Sequence, residues 1–130
     1  GNLADMVRAT RVLEVIAADK LVANAAAVGA VLVKGLQEIA LSFPDLVAQP
    51  RGRGLMIAFD LPDQEMRARA VAAARNEGLL LLPCGASSIR FRPFLDVTPE
   101  DAAAGLDRLA RALATLGRPA RKVPADRPTE

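Results

Sequence analysis

Apolar residues recur at helical spacing in four stretches of the chain and at strand spacing between them. Leu3, Met6, Val7, Leu13 and Ile16 fall on one helical face, behind an Asn2 able to cap and an Asp5 placed to complement the helix dipole. That pattern breaks at Asp19 and Lys20. A second helix then carries Leu21, Ala25, Val28, Leu32, Leu36, Ile39 and Phe43 on one stripe, and Pro44 stops it. Gly29 and Gly35 interrupt this stripe. Each costs about 1 kcal/mol relative to Ala in a helix interior, and Gly on a packed face lets another element come close.

Beyond Pro44 the period shortens to two. Residues 46–49 are a short extended segment, and residues 50–54 (Pro-Arg-Gly-Arg-Gly) read as a turn whose glycines are free to take positive φ. In residues 55–61, Leu55, Ile57, Phe59 and Leu61 point one way while Met56, Ala58 and Asp60 point the other, the clearest strand in the chain. Asp63 opens a third helix with Met66, Ala70, Val71 and Ala74 inward, and Gly78 closes it. The apolar run 79–82 reads as a buried strand. Residues 88–95 (Ser-Ile-Arg-Phe-Arg-Pro-Phe-Leu) alternate apolar and cationic residues, so Arg90 and Arg92 share one face of a strand that Pro93 ends. Thr98, Pro99, Glu100 and Asp101 start a fourth helix with Leu106, Leu109, Ala110, Leu113 and Leu116 as its stripe and Gly117 at its end. Residues 118–130, rich in proline and charge without an apolar period, read as a disordered tail. The order helix, helix, strand, strand, helix, strand, strand, helix predicts an α+β domain: a small, mostly antiparallel sheet covered by helices.

Composition narrows the chemistry. With 130 residues, 52% apolar and 25% charged, the chain is long enough to bury a core and is globular in character. No apolar stretch reads as long enough to span a bilayer, and no signal peptide opens the chain. The net charge is only +2, so the pI of 9.2 overstates basicity, and with no Trp, no Tyr and four Phe a nucleic-acid surface built on Arg51, Arg53 and the tail is disfavoured. A single cysteine, Cys84, forbids an internal disulfide and points to a reducing, cytoplasmic setting; among small apolar neighbours it reads as a buried, inert thiol. Without His, neither a zinc site nor a Ser-His-Asp or Cys-His nucleophile is expected. Arg51, Gly52, Arg53 and Gly54 match neither a P-loop nor a dinucleotide fingerprint.

The residue with the clearest chemical use is Arg90. A guanidinium on a short strand, delivered into a cleft, matches a carboxylate with two parallel hydrogen bonds and never loses its charge. On its residues alone, Arg90 is more often a solvated strand arginine or a structural ion pair than a ligand clamp; a small non-catalytic module in which Arg90 and Arg92 hold an acidic metabolite is the alternative.

Four segments taken together carry a resemblance. Gly1-Asn2-Leu3-Ala4-Asp5-Met6-Val7-Arg8-Ala9, Pro50-Arg51-Gly52-Arg53-Gly54-Leu55-Met56, Leu82-Pro83-Cys84-Gly85 and Ile89-Arg90-Phe91-Arg92-Pro93 resemble, in order and spacing up to about Leu116, the C-terminal part of class III (omega) aminotransferases. The resemblance is nearest to the branch acting on the terminal amino group of L-lysine. It implies the small C-terminal domain of a fold-type I enzyme that uses pyridoxal phosphate, with an amino acid and 2-oxoglutarate as substrates and a homodimeric assembly. It implies that residues 1–20 form the connector helix from a large domain, that residues 21–117 form the small domain, and that Arg90 binds a substrate carboxylate, Arg92 matching a second Arg of the lysine branch. The Lys that attaches the cofactor lies upstream in this family, so Lys20, Lys34 and Lys122 are not assigned to it, no catalytic or cofactor-binding residue is expected here, and the isolated chain is expected to be inactive. Two departures stand out: Pro93-Phe94-Leu95 replaces the usual Pro-Pro-Leu, and Cys84 stands where small residues are commoner. The apolar face of the first helix, stripped of the large domain, is expected to drive self-association.

Overall fold

A computed structural model describes residues 2–117. The stripe of Val28, Leu32, Leu36 and Ile39 on α2 (Leu21–Ser42) lies buried against the inner face of a four-stranded sheet, where Ile57, Phe59, Ile89 and Phe91 meet it in one core. The strands are β1 (Ala48–Arg53), β2 (Met56–Asp60), β3 (Leu82–Cys84) and β4 (Ser88–Phe91), in spatial order β1-β2-β4-β3 with every pairing antiparallel. The two hairpins therefore join through β2 and β4, and the last strand of the sequence lies inside the sheet.

Helices cover one face only. α2 packs on β1 and β2, α3 (Gln64–Asn76) packs on β3 and β4, and α4 (Pro99–Ala114) packs against both helices. Local sequence explains their ends. The Asp63 carboxylate accepts from the Met66 amide, and Gly78 takes φ +75° just past α3. Thr98 and Asp101 form a reciprocal capping box, with Pro99 in the first turn of α4. The expected order of eight elements and the α+β class hold.

Several local expectations change. Residues 50–53 belong to β1, and the turn is only Gly54 and Leu55. An edge strand tolerates a Pro at a bulge, and Gly52 stands where a Cβ would meet the Met56 carbonyl oxygen at 2.5 Å. Gly54 takes positive φ (+54°), whereas Gly52 does not. A bulge between Ala48 and Arg51 puts Gln49 at φ +49°. Leu46 and Val47 are buried in the turn after α2. Residues 79–81 are not a buried strand: Leu81 is buried, Leu80 is exposed, and strand pairing begins only at Leu82, the first residue of β3. Cys84 is half-buried on an edge strand and not enclosed. At 22 residues and a mean hydropathy of 1.4, α2 is long and apolar enough to cross a membrane, contrary to the expectation. One stripe of it, Val28, Leu32, Leu36 and Ile39, is turned into the core, while Val22, Val31 and Leu41 are exposed.

α1 (Leu3–Ala18) differs from the others. It is capped by Asn2, yet none of its residues is buried, and Leu3, Met6, Val7 and Leu13 stand more than half exposed. It meets α2 at Lys20, held at φ +52°. Residues 118–130, read as a disordered tail, lie outside the described residues.

Candidate functional site

The face of the sheet away from the helices is open, and strand alternation decides what it carries. On β4, Ile89 and Phe91 enter the core, so Ser88 and Arg90 turn outward and Arg92 follows on the same side. Arg90 sits opposite Ala58 of β2 and Leu82 of β3. Ala58 is small, and the space above it opens into a groove of about 550 Å³ lined by Arg51, Met56, Ala58, Cys84, Arg90 and Arg92. Arg90 and Arg92 are exposed and make no ion pair or side-chain hydrogen bond among the described residues. A guanidinium without a partner on a wall of regular structure is a ready donor to an anion, and its two parallel N–H groups favour a carboxylate.

Arg51, expected in a turn, instead lies opposite Ala58 on β1 and is fully engaged. Its Nη1 and Nη2 donate to the Asp60 carboxylate at 3.0 and 2.9 Å, and Nη1 also donates to the Gln49 carbonyl at 2.9 Å. The Ser88 hydroxyl donates to Asp60 Oδ1 at 2.5 Å. One carboxylate thus ties β1, β2 and β4 together, and the hydrogen bonds from Arg51 and then Ser88 hold Asp60 below the ordinary carboxylate pKa. Sequence reading placed Asp60 on the outer face but assigned it no task; its position two residues beyond Ala58 on a period-two strand was the available signal.

A second contact escaped notice. Asn24 Nδ2, on α2, donates to the Leu95 carbonyl at 2.9 Å and the Val97 carbonyl at 3.0 Å. It fixes the loop that leaves β4, immediately after Arg92, while the Phe94 side chain of that loop points into solvent at 86% exposure. The signal was a single polar residue within the otherwise apolar run 21–33 that opens α2.

Residues 1–113 match the family model described as aminotransferase class III. The chain belongs to the class III aminotransferases. It is 48% identical over 90% of its length to the L-lysine-epsilon aminotransferase of Amycolatopsis lactamdurans and 43% identical over 87% to that of Mycobacterium tuberculosis (strain ATCC 25618 / H37Rv). The solved lysine aminotransferase from M. tuberculosis superposes on 90% of the chain with a TM-score of 0.85 at 42% identity, covering 27% of that structure. A thermostable omega transaminase from Pseudomonas jessenii superposes on 81% of the chain with a TM-score of 0.74 at 27% identity, covering 25% of that structure. The chain spans about a quarter of the length of the curated relatives it matches.

Class III aminotransferases use pyridoxal phosphate, and the described residues of this member do not by themselves form a site for it. The open face carries arginines but no lysine to attach the cofactor. Lys20 occupies the junction of α1 and α2, Lys34 is exposed on a helix that covers the opposite face, and Lys122 lies outside the described residues. The acid on the face, Asp60, is already bound by Arg51 and Ser88. What this class III aminotransferase segment presents is an open wall on which the Arg90 and Arg92 guanidinium groups are exposed.

Proposed function

We propose that this chain is the C-terminal small domain of a pyridoxal-phosphate aminotransferase that moves the terminal amino group of L-lysine to 2-oxoglutarate, and that Arg90 binds a substrate carboxylate. The observation that supports it most is the unpartnered Arg90 on the inner strand of an open sheet face, in a chain 43–48% identical to lysine-epsilon aminotransferases. In this reading residues 1–20 are the connector to a large domain, which covers the exposed apolar residues of α1. The large domain carries the cofactor and its lysine, and the enzyme is a cytoplasmic homodimer.

Arg90 acts by position and charge. Its fork fixes one end of the substrate, so the reacting end is presented in one orientation and not a range of them. Fixed to a regular strand, it forms that contact with little reordering.

The test uses the full-length protein with pyridoxal phosphate, following glutamate formed from 2-oxoglutarate with L-lysine, ornithine or 4-aminobutyrate as donor. L-lysine is expected to be the best donor. A hydrogen-bonded charge pair is worth about 1.5–3 kcal/mol, so Arg90→Gln should raise KM for 2-oxoglutarate by roughly 10- to 100-fold. A different preferred donor would keep the reaction and change the substrate. An unchanged KM in Arg90→Gln would remove Arg90 from the site. No glutamate from any donor, with tight carboxylate binding by residues 1–130 alone, would instead favour a non-catalytic module for an acidic metabolite.

A further inference from the structure

Asp60 has two arginines at equal standing in the strand register. Arg51 on β1 and Arg90 on β4 both lie directly opposite Ala58, one on either side of β2, and Asp60 is two residues beyond Ala58. Each arginine is therefore a diagonal neighbour of the same carboxylate, at a separation of about 7–8 Å that a long side chain bridges easily. The structure gives Asp60 to Arg51 alone, in a two-bond pair, and Arg90 has no partner among the described residues.

The choice has a visible cause. The bulge at Gln49 turns its carbonyl onto Arg51 Nη1, and the Ser88 hydroxyl, 3.4 Å from Arg51 Nη2, holds Asp60 Oδ1 from the other side. Arg51 thus has a third fixed acceptor on its own strand that Arg90 lacks. Asp60 is 21% exposed and Arg51 49%, so the pair is shielded enough to persist and open enough that a freed Asp60 would look for another cation.

We propose that Arg51 is a positioning residue that sequesters Asp60, preventing an internal Asp60–Arg90 ion pair that would compete with the substrate carboxylate. This rests on the reading of Arg90 given above. Without Arg51, Asp60 would pair diagonally with Arg90, and a substrate acid would have to displace it.

The test is steady-state kinetics of the full-length enzyme at low ionic strength. Arg51→Met, of similar length but without donors, should raise KM for 2-oxoglutarate by about three- to fivefold, the competition expected of a partly exposed ion pair, while kcat stays near its original value. Arg51→Met combined with Asp60→Asn should restore KM, because the competitor is gone. A purely structural role for Arg51 gives no such rescue: KM that stays raised in the double variant, or is unchanged in Arg51→Met, overturns the proposal. If Arg51→Met fails to fold, Asp60→Asn alone decides, with KM unchanged or lowered expected and a raised KM refuting. Arg90→Gln is assayed alongside. An unchanged KM there removes the Arg90 reading and this one together, whereas a raised KM with no effect of Arg51→Met removes this one only.

Discussion

Gly29 of α2 faces the β1–β2 turn so closely that the backbone there has no room for a side chain. A Cβ at position 29 would meet the Gly54 carbonyl oxygen at 2.1 Å, its carbon at 2.5 Å and the Gly54 Cα at 2.9 Å. All three are backbone atoms of a turn at φ +54°, so no side chain can swing aside. To reach ordinary contact the turn must recede by more than an ångström, carrying the start of β2 with it. Gly29→Ala gains about 1 kcal/mol of helix propensity, and overpacking of this kind costs typically 1–3 kcal/mol and sometimes more. With a rigid obstacle the upper end applies, for a net loss of about 2 kcal/mol. Gly105 of α4 is the control. A Cβ there meets only Leu79 Cδ1 at 3.9 Å, so Gly105→Ala should stabilise by up to about 1 kcal/mol. The chain has no Trp or Tyr, so urea unfolding is best followed by far-UV circular dichroism. A Gly29→Ala variant as stable as the parent, or the same loss in both variants, would refute the close approach.

Asn24→Leu deprives the Leu95 and Val97 carbonyls of their donor and should cost about 1–2 kcal/mol, with faster proteolytic cleavage in the loop after β4; equal cleavage would show that the loop does not depend on Asn24. Asp60 supplies a pH signature. Because its folded pKa is lowered from 3.8, it binds fewer protons folded than unfolded, so its stabilisation is complete above the unfolded value and is lost as pH falls through the folded one. The stability difference between the parent and Asp60→Asn should therefore be constant near neutrality and shrink once pH drops below about 4. A difference that grows on acidification would contradict the Arg51–Asp60–Ser88 network.

The helices were legible because each carries its own punctuation: Asn2, Asp63 and the Thr98–Asp101 box at the starts, Gly78 and Pro44 near the ends. β2 and β4 were legible because one face of each is buried and the other is not, which is what a period of two records. β1 was obscured by the very residues that mark turns elsewhere: Pro50 falls at the bulge of an edge strand, and Gly52 pairs with Ile57 where a Cβ would meet the Met56 carbonyl oxygen at 2.5 Å. Run 79–82 failed for a related reason: four leucines in a row hide which ones face inward until the sheet margin is placed. Arg90 was found by chemistry on a readable strand. The roles of Arg51, Asp60 and Asn24 depend on partners 9 to 73 positions away, and no local pattern encodes those pairings.

The position of β4 also bears on how the site comes into being. β2 and β4 are separated in sequence by all of α3 and β3, yet they pair directly. The Arg90 strand therefore cannot settle until that intervening segment has closed, so formation of the groove belongs to the late, non-local part of folding. Once formed, β4 is clasped by ladders on both sides. Its amides should exchange with solvent only through opening of the whole sheet, at the slow rate of global unfolding and not of edge fraying. The wall that carries Arg90 is then either fully assembled or absent.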